Sequence, residues 1–123
     1  MEYKNWERVG ISHLLGKMVE SITLNDDKTE LTIVCKGGYR YLMMHEQDCC
    51  ESVWLDDLDG ELSDWQNVTV LEASESASLA DSTEMQWTFY RLACNLHSLC
   101  LRWCGSTDSV YSMGVTLFVG FAK

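Results

Sequence analysis

The sequence predicts a single α+β domain, in which a mostly antiparallel sheet carries one or two short helices. A length of 123 residues is typical of one domain. Several short runs rich in β-branched residues are separated by turn residues, which is the pattern of antiparallel strands. Residues 6–16 predict a short helix, because this apolar segment ends near Gly16, where a C-terminal glycine is usual.

Three strands are predicted to follow this helix as an antiparallel meander. Residues 18–24 and 30–36 are rich in β-branched side chains, and residues 25–28 between them have the composition of a turn. A glycine pair at positions 37–38 predicts a second tight turn into the strand at residues 39–44.

The central part of the chain is less regular in composition. Residues 53–58 and 62–65 are predicted to be helical or irregular around Gly60. Residues 67–71 predict a further strand. Residues 72–84 are rich in Ser, Ala and acidic residues, so we expect an exposed loop there.

The last third predicts a hairpin and one more strand. Residues 86–94 and 99–105 form the hairpin, and residues 111–121 supply the final strand. The sequence contains no internal repeat and no composition typical of a linker, so residues 1–123 are expected to form one domain.

Charge is distributed very unevenly along the chain. Residues 1–45 carry six acids and six bases, residues 46–84 carry twelve acids and no Lys or Arg, and residues 85–123 carry one acid and three bases. The net charge of −10 therefore arises in the central third, which predicts a surface that repels nucleic acid and membranes and attracts basic proteins. The alternative is a solvated face that only keeps the protein soluble. The candidate partner-binding residues are Asp56, Asp57, Asp59, Glu61 and Asp64.

Two features predict a cytoplasmic protein. No run of about eighteen apolar residues is present, and the first five residues are not followed by an apolar stretch of the kind found in secretory signals. In a reducing compartment, the six cysteines are expected to be buried thiols or metal ligands rather than disulfides.

The segment His45-Glu46-Gln47-Asp48-Cys49-Cys50-Glu51 carries the chemistry of a metal site. Imidazole and thiolate groups together suit zinc, and His45 and Cys49 share one face if the segment is helical. A closed site needs a further ligand, for which the candidates are Cys94, Cys100 and Cys104 in the predicted late hairpin, with His97 at its tip. A strand would place Cys100 and Cys104 about 13 Å apart, so one ion could use only one of them. The alternative is that the cysteines are small buried residues and His45 is hydrogen-bonded to a neighbouring carboxylate.

Catalytic motifs are absent from this segment and from the rest of the sequence. The position four after His45 is Cys49, so the H-E-x-x-H helix of zinc proteases is not formed. The second half of the zinc-deaminase motif and the Walker, Rossmann and G-x-S-x-G patterns are also missing. We therefore expect a protein that is not an enzyme, although a cysteine beside His45 leaves a small thiol or metal enzyme as an alternative.

The chain resembles a family of small phage and mobile-element domains of unknown function. The resemblance covers about residues 14–115 and is most specific in the HEQDCCE run at 45–51. It also includes Leu14-Leu15-Gly16-Lys17, Trp87-Thr88-Phe89-Tyr90 and Leu101-Arg102-Trp103. The resemblance implies importance for His45, Cys49 and Cys50. It does not extend to Cys94, Cys100 and Cys104, which look like additions, and the usual tyrosine-rich last turn is only partly kept at residues 105–112.

In kind, the chain is similar to anti-CRISPR proteins, which inhibit a host's RNA-guided nuclease. The likeness lies in the phage setting that the resemblance implies, the acidic body and the lack of a catalytic constellation. Cas9-type effectors hold their heteroduplex in a positively charged channel, which an acidic protein could occupy or flank. The expected function is inhibition of such an effector by a zinc-stabilised binding protein. The alternative is a phage accessory or structural protein that binds another basic partner.

Overall fold

Two antiparallel sheets form the fold, and the prediction of an α+β class was wrong. The computed structural model describes residues 4–46, 51–79, 85–106 and 114–121, and these contain no α-helix. The strands are β1 (Lys4–Val9), β2 (Met18–Leu24), β3 (Glu30–Cys35), β4 (Tyr39–Met44), β5 (Ser52–Asp59), β6 (Val68–Thr69), β7 (Glu72–Leu79), β8 (Met85–Ala93), β9 (Ser98–Ser106) and β10 (Thr116–Phe121).

Each sheet has a simple order of antiparallel neighbours. The first sheet has six strands in the order β1-β10-β4-β3-β2-β6, and the second has four in the order β5-β9-β8-β7. The predicted meander is confirmed as β2, β3 and β4, and the predicted late hairpin is confirmed as β8 and β9.

The predicted helix at residues 6–16 is instead strand β1 followed by a short 3-10 helix, Ile11–Leu14. Strand β1 pairs with β10 from the far end of the chain. A Cβ atom at Gly120 would lie only 3.0 Å from the Trp6 ring, so the missing side chain leaves the space that the indole fills. This pairing joins opposite ends of the sequence, and local composition could not reveal it.

Two further predictions for the central part of the chain were wrong. Residues 53–58 belong to strand β5, whose register shifts between Leu55 and Asp57. This bulge places an extra residue in the strand, so the apolar residues Val53, Leu55 and Leu58 are separated first by two positions and then by three. A spacing of three is typical of a helix, which explains the wrong prediction. Residues 72–84 were predicted to be a loop, but residues 72–79 form β7, which pairs with β8 residue for residue, and residues 80–84 lie outside the described residues. The helical or irregular prediction at 62–65 is confirmed by a 3-10 helix, Leu62–Asp64.

One hydrophobic core lies between the two sheets, so the described residues form a β-sandwich. Inward-facing side chains from both sheets are buried in a single cluster, whose largest members are Trp65, Trp103, Tyr41 and Tyr90. The indole Nε1 of Trp103 in the second sheet donates to Sδ of Met43 in the first at 3.1 Å.

Candidate functional site

His45 and Glu51, which border the HEQDCCE run, form a buried pair. His45 directly follows β4 and Glu51 directly precedes β5, and the two residues are 8% and 3% exposed. The imidazole Nε2 lies 2.7 Å from Oε2 of Glu51, and Nδ1 lies 2.7 Å from the carbonyl oxygen of Gly114, just before β10. The pair therefore joins the ends of three strands from both sheets.

The position of the protons follows from the chemistry of these contacts. The carbonyl of Gly114 can only accept, so Nδ1 of His45 must donate to it. The contact between Nε2 and Glu51 then holds one proton, on either the ring or the carboxyl group. Both arrangements leave the pair without net charge, which is the state that burial favours.

For His45, the hydrogen-bonded alternative is confirmed, since its partner is a neighbouring carboxylate. Any metal that used His45 would have to replace one of its two hydrogen bonds. Cys49 and Cys50 lie outside the described residues. Within the described part of the chain, no group of three or more His, Cys, Asp or Glu side chains could hold a metal ion. The zinc site stays a prediction.

The two distal cysteines of the predicted zinc site are not brought together. Cys94 follows the last residue of β8, whereas Cys104 pairs across the hairpin with Trp87 near the start of that strand. Seven residues of strand separate the two positions, which corresponds to about 23 Å. At most one of these cysteines can therefore belong to any single metal site.

Strand β5 carries three of the five predicted partner-binding residues to the outer face of the second sheet. Asp56 accepts from Arg102 on β9, at 2.6 Å from Nη2 and 3.2 Å from Nε. Asp57 and Asp59 line a groove on the same face. Asp64 lies 3.5 Å from Nδ1 of His97, and Glu61 is exposed between β5 and the 3-10 helix.

Aromatic side chains surround the Asp56–Arg102 ion pair. The register places Trp54 of β5, Cys104 of β9 and Trp87 of β8 side by side in one row. The Arg102 guanidinium carbon lies 4.9 Å from the centre of the Trp87 ring, a cation–π contact. Cys104 is fully buried in this row, and burial raises the pKa of its thiol. This row of the outer face is therefore packed, whereas the neighbouring carboxylates of Asp57 and Asp59 are exposed.

A groove of about 530 Å³ runs along this outer face. Phe89 of β8 is 38% exposed there, and Cys100 of β9, which pairs with Arg91, also lines the groove. The carboxylates of Asp57 and Asp59 on β5 form one side of the groove, and Ser74, Glu75 and Ser76 of β7 form the other. Its lining residues are Asp57, Asp59, Ser74, Glu75, Ser76, Phe89, Tyr90, Arg91, Cys100, Leu101 and Arg102.

The sequence predictions identified the acidic side of the groove but missed its aromatic and basic residues. Trp87, Phe89 and Arg91 alternate along β8 with Thr88 and Tyr90, which are buried. Because alternate residues of a strand face opposite sides, this pattern was the signal that could have placed the first three on one outer face.

The described residues define a small antiparallel β-sandwich with a charged and aromatic groove on one outer face. Residues 12–117 match the family described as Domain of unknown function (DUF7448), and the chain belongs to this family. No curated protein and no solved structure matches the chain. The resemblance to a family of unknown function is thus confirmed, whereas its phage setting stays a prediction. Among the described residues, no helix has the length and hydrophobicity to cross a membrane.

Proposed function

We propose that this protein is a non-catalytic binding protein whose grooved outer face docks on a basic surface of another protein. The observation that carries the proposal is that Asp57 and Asp59 line the same groove as an exposed phenylalanine, Phe89. Within the described residues, neither carboxylate has an ion-pair partner. Their charge is therefore available to a partner.

An aromatic groove distinguishes this face from one that serves only solubility. A solvated acidic face has no need of a partly exposed aromatic floor, whereas interfaces are enriched in aromatic side chains and Arg. Here Phe89, Trp87 and Arg102 lie on the same face as the carboxylates. The arrangement supports docking in which apolar contact supplies affinity and the acids supply steering.

The more specific proposal is that the partner is a Cas9-type effector in a host cytoplasm. Its support is chemical, because such effectors present a positively charged channel and this protein concentrates twelve of its nineteen acidic residues, with no Lys or Arg, in residues 46–84. Docking on or beside that channel would exclude nucleic acid. A phage accessory protein that uses the same face on another basic partner is the alternative.

A structural zinc remains part of the proposal. Its ligands would be His45, Cys49 and Cys50, with Cys104 completing the site. The other predicted ligand, Cys94, is too far away, because Ser52 beside Glu51 is aligned through Ser106 with Met85, at the opposite end of β8 from Cys94. Elemental analysis of protein purified without chelator tests it directly. About one zinc per chain would support the site, and the absence of stoichiometric metal would contradict it.

Charge neutralisation tests the docking face. The variant replaces the five acids by their amides: Asp56→Asn, Asp57→Asn, Asp59→Asn, Glu61→Gln and Asp64→Asn. A matched control removes the same charge from exposed acids elsewhere: Glu7→Gln, Glu20→Gln, Asp26→Asn, Asp27→Asn and Glu30→Gln. The measurements are the association rate with a Cas9-type effector and inhibition of DNA cleavage, at two salt concentrations.

The two variants are expected to behave differently although their net charges are equal. The outer-face variant should associate about tenfold or more slowly and lose inhibition, because local charge complementarity sets the association rate. The control variant should retain most of the association rate and most of the inhibition. Equal behaviour of the two variants would make the acids a solubility feature. Failure of the wild-type protein to bind such a nuclease would remove the anti-CRISPR proposal and favour the accessory alternative.

A further inference from the structure

We propose that the groove binds an extended segment of the partner in which two basic side chains are separated by one residue. This inference rests on the proposed docking function and specifies the chemistry of the segment that the face receives. Four features of the groove support the inference: the spacing of the Asp57 and Asp59 carboxylates, the balance of charge among the lining residues, the exposed Phe89 ring and the width of the groove.

The spacing of the carboxylates matches the repeat of an extended chain. Asp57 and Asp59 both line the groove and follow the bulge of β5, where the strand is regular again. Residues two apart on a strand lie about 6.8 Å from each other on the same face. A bound segment in extended conformation presents its own alternate side chains at this same repeat. Two basic residues separated by one residue can therefore meet both carboxylates at once.

The charge balance of the groove favours a cationic ligand. Arg102 is already paired with Asp56 at 2.6 Å, and Arg91 lies 3.7 Å from Glu72 on β7. Asp57 and Asp59 have no ion-pair partner within the described residues. Glu75 of β7 also lines the groove, where its carboxylate lies against Tyr90 and contributes to raising the pKa of that side chain. Within the described residues it has no ion-pair partner either, so the unmatched negative charge in the groove is on Asp57 and Asp59 of β5 and on Glu75 of β7.

The floor of the groove suits the long apolar stems of Lys and Arg. Phe89 pairs in register with Arg102, which in turn pairs with Asp57, so the exposed ring lies two strands away from the carboxylate. A guanidinium that reaches Asp57 from the β7 side would cross the Phe89 ring. Such a position combines a charge-assisted hydrogen bond with a cation–π contact.

The width of the groove fits one extended chain. Strands β5 and β7 are separated by β9 and β8, which places their backbones about 14 Å apart. On the β7 side the groove is lined by Ser74 and Ser76, whose short side chains leave the space open. A segment lying along the strands would have the carboxylates of Asp57 and Asp59 on one side, and the hydroxyl groups of Ser74 and Ser76 with the carboxylate of Glu75 on the other.

Two other occupants fit less well. A second copy of this chain carries the same net charge of −10, so the approach of two copies is opposed by repulsion. Nucleic acid is repelled by the same field. A basic protein segment is the occupant that satisfies both the charge and the shape of the groove.

Synthetic peptides of identical composition test the spacing. All are threonine- and serine-rich, so that they favour extended conformations, and each contains two arginines. In the first peptide one residue separates the arginines; in the second they are adjacent, and in the third two residues separate them. Because alternate side chains share a face, only the first peptide presents both arginines to the groove. We expect it to bind about three- to tenfold more tightly in calorimetric or NMR titrations at low salt.

Two double variants test whether the preference for the first peptide depends on the carboxylates of the groove. Asp57→Asn with Asp59→Asn should abolish the preference for the first peptide. Asp26→Asn with Asp27→Asn removes the same charge from the turn between β2 and β3 and should preserve the preference. Equal binding of the three peptides by the wild-type protein, or binding of none, would overturn the inference. The proposed docking function would fail separately, if the five-fold outer-face variant still associated with its effector normally.

Discussion

Two hydrogen-bonded pairs of ionisable side chains in this molecule have almost the same contact distance and very different surroundings. The His45–Glu51 contact measures 2.7 Å, and its side chains are 5% and 0% exposed. The Arg102–Asp56 contact measures 2.6 Å, but its side chains are 43% and 30% exposed. The contact distances alone would predict the same contribution to stability from both pairs.

Burial assigns the two pairs different roles. Removal of one partner from a buried pair leaves the other without solvation, which costs several kcal/mol, whereas an exposed pair contributes little to stability. The inner pair holds the ends of β4, β5 and β10 together across both sheets. The outer pair fixes the position of Arg102 beside the groove. The first therefore supports the fold and the second shapes a surface.

The largest expected effect is on the inner pair. Glu51→Ala should lower the free energy of unfolding by about 3–5 kcal/mol, because it leaves Nε2 of His45 buried without its partner. Denaturant titration followed by tryptophan fluorescence measures the change. Glu51→Gln is the matched control, since its amide can donate to the unprotonated Nε2 while Nδ1 still donates to Gly114. A loss for Glu51→Ala below about 1 kcal/mol would show that burial does not distinguish the two pairs.

A smaller effect is expected from the buried thiol of Cys35 at alkaline pH. Burial raises its pKa from 9.0 to about 11 in the folded protein. The thiolate is therefore disfavoured in the folded state, so the stabilisation is complete below pH 9 and is lost as the pH rises to about 11. The free energy of unfolding should fall over this range. Cys35→Val should make this fall in the free energy of unfolding shallower. Part of the fall should remain in the variant, because burial also raises the pKa of Tyr41 and of Tyr90. An unchanged slope in Cys35→Val would contradict this assignment.

The smallest expected effect on stability is at the outer pair. Asp56→Asn should change the free energy of unfolding by only about 0.2–1 kcal/mol, because the contact is partly solvated. Its effect should appear instead in binding, since it releases Arg102 to repel a basic partner. Thermal unfolding and the affinity for the alternately spaced arginine peptide measure the two effects. The control is Asp26→Asn in an exposed turn, and equal affinities for both variants would count against a role for the outer pair.

The parts of the fold that could be predicted are those in which local chemistry decides the structure. The glycine pair at 37–38 and the polar turn at 25–28 fix the meander without reference to distant residues. Strand β1 was missed because it depends on pairing with β10, and β5 because its bulge disrupts the alternation. Strand β7 was missed because its Ser, Ala and Glu side chains resemble a loop, although the backbone pairs fully with β8.

For the candidate site, too, the sequence predicted the local features and missed those that depend on strand pairing. The excess of acids between Asp56 and Asp64 is visible in sequence, as is the importance of His45. The groove was not visible, because it forms only when β8 and β9 pair and place Phe89 and Cys100 on the same outer face as the carboxylates of β5. The pairing of Asp56 with Arg102 likewise joins residues far apart in sequence.

Cysteine alkylation offers the most direct test of the groove as the docking surface. Cys100 lines the groove and Cys94 lies near the far end of β8 outside it, and both are free and partly exposed. The rate of alkylation at each cysteine is measured by mass spectrometry, with and without a saturating concentration of the alternately spaced arginine peptide. The account predicts strong protection of Cys100 and an unchanged rate at Cys94. Binding of the peptide with no protection of Cys100 would show that the partner segment lies elsewhere and would contradict the account.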